Sequence, residues 1–227
     1  MSTRIIIFAK APVAGQAKTR LAAALGNGGA ARLARYMLAS TIETCLTANI
    51  GPVELCMSPG SDAPEWADVV LSPQLIFSSQ DDGDLGRRMA CAAQRALSNN
   101  ALSDNTLPSN TRLEHKTQQQ QVLLVGTDCP QLSPELLRRA AHRLSSLDAL
   151  LHPTWDGGYA LLGLRQFNHQ LFTHIPWSTP TVAALTQKRL TQLGWRYALA
   201  EQLHDIDEPA DLFWLTPAWR RALTDHC

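Results

Sequence analysis

No stretch of the sequence reaches the ~20 consecutive apolar residues that a membrane-spanning helix needs. The apolar run Ile5 to Ala9 is cut off by Lys10 and has neither the length nor the small-residue cleavage site of a signal peptide. Cysteine is sparse: Cys45, Cys56, Cys91, Cys129 and Cys227 are odd in number, widely spaced and never in a CxxC pair. That argues against a disulfide scaffold or a zinc knuckle and predicts a reducing, cytoplasmic setting. Neither sign of charge is in excess, since 20 Lys and Arg balance 20 Asp and Glu. No global field steers the protein to nucleic acid or an acidic membrane, so a phosphate site must come from a local cluster. The seven histidines show no HxH or HExxH spacing and read as ordinary core or surface residues. A P-loop is missing as well. Aligned on Lys18-Thr19, its two glycines would fall on Pro12 and Ala17, and Pro12 has no N–H to donate.

What is present is an ordinary globular composition, 45% hydrophobic and 18% charged over 227 residues. This predicts one domain, residues 1–227, with a substantial core. Short β-rich runs alternate with longer helical patterns, the mark of an α/β fold with a mostly parallel sheet and helices on both faces. Strands are expected over Arg4–Ala9, Val53–Met57, Leu75–Ser78, Val122–Val125, Ala149–His152, Tyr159–Leu164 and Trp195–Ala200. Helices are expected over Lys18–Leu25, then after a break at Gly26–Gly29 over Ala30–Ala48, and over Leu85–Leu97, Thr179–Leu193 and from Pro209 onward. Ser133-Pro134 reads as the N-cap and first residue of another helix. Residues 98–121 are rich in Ser, Asn, Thr and Gln and read as a flexible polar surface insertion.

Five segments carry possible chemistry. Phe8 to Leu21 joins the first strand to the first helix, and Lys10, Lys18 and Arg20 there would make an anion site. Gln80 to Met89 places Gly83 and Gly86 where backbone can approach a flat ligand; Asp84 reads as a helix N-cap, and Arg88 fits either a phosphate or a surface carboxylate. Asp128, in the turn after a buried strand, is placed to hold Mg²⁺ or Mn²⁺, ions that use one or two protein carboxylates. Asp207, in the segment His204 to Leu212, could complete that site, while Asp211 supports the following helix start. Asp156-Gly157-Gly158-Tyr159 is a turn, and Asp156 is the nearest candidate base if a hydroxyl has to be deprotonated. Cys129 has no histidine nearby in sequence to activate it as a nucleophile.

Taken in order, FAKAPVAGQAKTRL, GDLGRRM, GTDCPQL, DGGYALLGL with PWSTPTV, and DIDEPADL resemble the motif set of the DUF2064 family. That family is described as glycosyltransferase-like, within the GT-A nucleotide-diphospho-sugar transferase superfamily. The resemblance implies a single GT-A-like, Rossmann-like domain. It implies a metal-dependent transferase taking a nucleotide or nucleotide-sugar and an acceptor, with glycosyl and nucleotidyl transfer both open. The alternative is a nucleotide-sensing or partner-binding module without turnover. More distantly, the layout is similar to small nucleotidyltransferases. That likeness implies Lys10, Gly15, Lys18 and Arg20 at phosphates, and Gln80, Gly83, Gly86 and Arg88 around the nucleotide. It implies Asp128 and Asp207 at the metal, and Gly157, Gly158 and Tyr159, with Trp177 and Ser178, at the second substrate. Two departures stand out: Gly126 occupies the first Asp position of a DxD motif, and a Pro12–Gly15 loop replaces GxGxR.

Overall fold

The computed structural model describes residues 2–98 and 121–224. The predicted insertion at 98–121 lies, apart from its two end residues, outside the described residues. Strand β1 (Thr3–Lys10) is apolar on both faces, and Ile5, Ile6 and Ile7 are fully buried, as a central strand of a covered sheet requires. It is flanked by β2 (Val53–Ser58) and β4 (Gln121–Val125), with β3 (Ile76–Ser79) outside β2. On the other side follow β6 (Tyr159–Leu164), β5 (Ala149–Pro153) and β7 (Tyr197–Leu199), giving the order β3-β2-β1-β4-β6-β5-β7. Among the described residues only β6 runs against its neighbours; the other pairings are parallel. The mixed, mostly parallel sheet expected from the sequence is therefore present.

Helices cover both faces. Helices α1 (Ala22–Ala48) and α3 (Pro134–Leu144) pack Leu38, Ile42, Leu137 and Leu144 onto the side of Ile5 and Ile7. Helices α2 (Leu85–Ser98) and α4 (Val182–Gln192) pack Met89, Ala93 and Leu190 onto the side of Ile6 and Leu124. A third cluster joins Leu33 and Met37 of α1 to Ile206 and to Trp219 of α5 (Pro217–Thr224). Ile206 anchors the chain between Asp205 and Asp207.

Local signals explain several boundaries. The Ser133 hydroxyl accepts from Leu136 N–H at 3.2 Å, with Pro134 in the first turn, as the sequence predicts. The helix break is confined to Gly26, whose φ of 68° and ψ of 165° kink α1 while residues on both sides stay helical. Helix α4 starts at Val182 rather than Thr179, because Ser178 has a φ of 62° and 178–181 form a turn. Strand β7 is shorter than predicted. The C-terminal segment is a 3-10 turn over Pro209–Trp214 followed by α5.

Candidate active site

The chain leaves β1, β4, β5 and β7 on the same edge of the sheet, the carboxyl ends of parallel strands. Ligands of open α/β folds bind along that edge. The loop after β1 turns at Gly15 (φ 77°), and Lys10 Nζ donates to the Gln16 carbonyl at 3.0 Å, closing it. Lys18 follows in a left-handed conformation, φ 48° and ψ 46°, just before the 3-10 turn Thr19–Leu21. A non-glycine residue held there is strained, and such strain concentrates at functional sites. Its reward is in the side chain. Lys18 Nζ lies 2.7 Å from Asp128 Oδ2 and 3.3 Å from Asp207 Oδ1. Arg20 then pairs with Asp207 Oδ2 at 2.8 Å and approaches Glu208 at 3.7 Å.

Backbone ties hold these distant segments in place. Ile206 N–H donates to the Asp128 carbonyl at 2.9 Å, His204 N–H to Gln131 Oε1 at 2.6 Å, and the Thr41 hydroxyl of α1 to the Thr127 carbonyl at 3.3 Å. Asp211 accepts from the backbone N–H groups of Asp207 and Glu208, at 3.0 and 2.6 Å, in a capping box that aligns the acidic segment. Lys18, Arg20, Asp128 and Asp207 thus converge from positions up to 189 residues apart.

The charges reinforce one another. Burial opposes the Lys18 ammonium, yet Asp128 and Asp207 outweigh that penalty and hold its pKa above the ordinary value. Burial likewise opposes the Asp128 carboxylate, and the Lys18 charge and hydrogen bond more than offset it, so its pKa is depressed. The Lys18 side chain is only 12% exposed, whereas those of Asp128 and Asp207 are 39% and 38% exposed. The carboxylates stay open to an incoming ligand while the ammonium sits behind them. Among the described residues no group of three or more His, Cys, Asp and Glu forms a metal cage. Two carboxylates already gathered around one cationic nitrogen still fit Mg²⁺ or Mn²⁺, which take their remaining ligands from phosphate and water.

Other predicted residues sit at the rim. Asp156 Oδ1 accepts from the Thr154 hydroxyl and from Gly158 N–H at 2.9 Å, which shapes its turn. Gly157 has φ 90°, and a Cβ there would run into the Pro180 carbonyl; Ala183 N–H donates to the Gly157 carbonyl at 2.9 Å. The DGGY and PWSTP segments are thus interlocked, and Gly157→Ala is expected to lose about 1–3 kcal/mol in chemical denaturation, as overpacking does. Tyr159 turns into the core beside α4, where burial raises its pKa against a smaller opposing effect of the Thr186 hydroxyl. Trp177 lies against Gly86, with its buried indole N–H unpaired, and Ser178 is exposed.

The Gln80–Arg88 segment forms a separate group. Gln80 Nε2 donates to the carbonyls of Ala9 and Cys56 at 3.1 and 3.0 Å, while Arg88 bonds Gln80 Oε1 at 3.3 Å and the Gly83 carbonyl at 2.9 Å. Gly83 has φ 106°. Gln80 therefore ties this turn to the end of β1, with both amide hydrogens engaged. Asp84 caps α2, accepting from Arg87 N–H at 2.8 Å. Cys129 is buried, and burial pushes its thiol up to about 12, which keeps it out of nucleophilic chemistry.

The DUF2064 family, described as uncharacterized protein conserved in bacteria, matches residues 41–179. A solved protein of Desulfovibrio desulfuricans G20, described as a candidate nucleotide-diphospho-sugar transferase, shares 31% identity and a TM-score of 0.80, covering 96% of this chain and 88% of its own. The chain belongs to the DUF2064 family. Its fold also matches a nucleotidyl transferase of Methanothermobacter (14% identity, TM-score 0.56, 97% and 98% of the two chains). It matches a CMP-2-keto-3-deoxy-manno-octonic acid synthetase complexed with CTP as well (12%, 0.55, 100% of each). Both likenesses concern the fold alone. No curated protein matches this DUF2064 chain. No helix among its described residues is long and apolar enough to cross a membrane.

One further carboxylate of this DUF2064 protein, Asp205, joins the acidic group. Burial first, then the charges of Asp156, Asp128 and Asp211, push Asp205 up to about 6. No local motif marks it, and only the folded chain brings Asp156 and Asp128 close. The folded pKa lies above the ordinary 3.8, so between about pH 4 and 6 the native state holds more protons than the unfolded chain. Asp205 should therefore make the ligand-free protein less stable as pH rises through that window. Thermal melts should show a shallower decline in Asp205→Asn; equal slopes would refute the assignment.

Proposed function

We propose that this DUF2064 protein is a metal-dependent transferase acting on a nucleotide-activated donor, either glycosyltransferase-like or nucleotidyltransferase-like. The observation that carries the reading is the Lys18 ammonium, strained into place and enclosed by Asp128 and Asp207 at the carboxyl edge of the sheet. Lys18 and Arg20 against Asp128 and Asp207 sum to zero charge, and Glu208 tips the group negative. A polyanionic nucleotide alone gains little from such a cluster, so nucleotide and Mg²⁺ or Mn²⁺ are expected to bind together. Asp128 and Asp207 would hold the ion, which supplies Lewis-acid neutralisation of phosphate charge.

Lys18 and Arg20 provide the fixed positive charge for the oxygen that departs with pyrophosphate or diphosphate. Gly15 and the N–H groups leading into the Thr19–Leu21 turn shape the phosphate loop, and Lys10 braces it. The turn at Asp156–Gly158 lies close enough for Asp156 to act on Asp205 and is where the acceptor is expected. Nucleoside triphosphates and nucleotide-sugars, screened with Mg²⁺ and Mn²⁺ over a broad acceptor panel, should yield pyrophosphate or nucleoside diphosphate. Tight binding with no release across the panel would instead make the protein a nucleotide-sensing module.

A further inference from the structure

Three aromatic rings next to the acidic segments are stacked, and both indoles among them are exposed. The His204 ring lies 3.7 Å from Trp214 and 5.5 Å from Trp155, at interplanar angles of 14° and 19°, and Phe213 meets Trp214 edge-on at 5.4 Å. Trp155 is 63% exposed, Trp214 47% and Phe213 74%. Exposed apolar surface gathered in one patch marks an interaction site. This patch is also rigidly held. Trp155 N–H donates to the Leu203 carbonyl at 3.1 Å, Gln202 Nε2 to the Thr154 carbonyl at 3.2 Å, and His204 N–H to Gln131. Trp155 immediately precedes Asp156, His204 precedes Asp205, and Trp214 ends the 3-10 turn that begins two residues after Asp207.

We propose that the Trp155–His204–Trp214 stack is the acceptor subsite, and that it takes an uncharged, ring-shaped polyol of the pyranoside class. The inference rests on the transferase reading above and adds the identity of the second substrate. A flat aromatic face matches the C–H face of a pyranose, and the neighbouring carboxylates accept hydrogen bonds from hydroxyls. Asp156 Oδ1 is taken by its own turn, while Oδ2 has no hydrogen bond among the described residues. Asp156, Asp128 and Asp211 each lie close enough to act electrostatically on Asp205. An acceptor bearing a phosphate or carboxylate would meet like charge there.

Saturation-transfer NMR with a panel of methyl pyranosides tests this directly, alongside the matching sugar 1-phosphates and thermal shifts with nucleotide and Mg²⁺. At least one methyl pyranoside should receive magnetisation from the wild-type protein. The signal should vanish in Trp155→Ala and Trp214→Ala and return in Trp155→Phe, and the 1-phosphates should compete poorly. Both alanine variants should keep the nucleotide–metal thermal shift. No signal with any methyl pyranoside, an unchanged signal in the alanine variants, or a preference for the 1-phosphates would overturn the proposal. So would loss of the nucleotide shift in Trp155→Ala, which would mean that the rings stack on the base instead. A wild-type protein that shows no nucleotide–metal shift at all counts against the transferase reading, so the two failures are told apart.

Discussion

Lys18→Ala is expected to lower turnover by about 10²–10³-fold, the effect of losing one preorganised electrostatic contact to the departing oxygen. The same change should alter cation binding in a way that ordinary destabilisation would not. In the native protein the ammonium pairs with Asp128 and Asp207 at 2.7 and 3.3 Å, and Arg20 supplies the second positive charge. Without it, Asp128 loses its cationic partner while Asp207 keeps Arg20 at 2.8 Å, and the variant should melt earlier than wild type. Mn²⁺ alone should then restore much of the lost stability, because the ion can enter where the ammonium was. Wild-type protein should need nucleotide as well as metal for a comparable shift. Equal responses of the two proteins to Mn²⁺ alone would argue against a shared cation position.

Asp128→Ala should have the complementary effect. A ligand present at ~100 times its dissociation constant stabilises a protein by about 2.7 kcal/mol. That joint nucleotide–metal stabilisation should largely disappear in the variant, as measured by thermal shift. The ligand-free variant should also be less stable, because Lys18, 12% exposed, is left with only Asp207 at 3.3 Å. Asp128→Asn keeps an acceptor for Lys18 but loses the charge. It should regain part of the stability and little of the nucleotide response, which separates packing from binding. A full nucleotide–metal shift in Asp128→Asn would remove Asp128 from the ion site.

Much of the fold was legible because burial on both faces leaves a plain imprint. The unbroken Ile5–Ile7 and Leu123–Val125 runs mark central strands, and Ser133-Pro134 marks a helix start through groups that act within one turn. What could not be read locally depends on partners far away in the chain. Helix α4 begins late because Ser178 takes a positive φ in a turn that also brings Pro180 against Gly157, a contact that sequence spacing does not show. Gln80 spends its amide hydrogens on the ends of β1 and β2, and Trp177 packs on Gly86; neither partner can be inferred from spacing. Of the site, the cationic turn and the carboxylates at 128 and 207 were visible as residue types in suggestive turns. Lys18's left-handed backbone and Asp205's elevated pKa arise only once the segments meet. The aromatic stack was invisible for the same reason, since His204 lies 49 positions from Trp155 and gains meaning only between two indoles.

A single diffraction measurement bears most directly on the centre of this account: anomalous scattering from crystals grown with a nucleoside triphosphate and Mn²⁺. The account predicts one manganese peak bridging Asp128 and Asp207, with the nucleotide's phosphates beside Lys18 and Arg20. A peak elsewhere on the protein, or ordered phosphates far from that carboxylate pair, would contradict it.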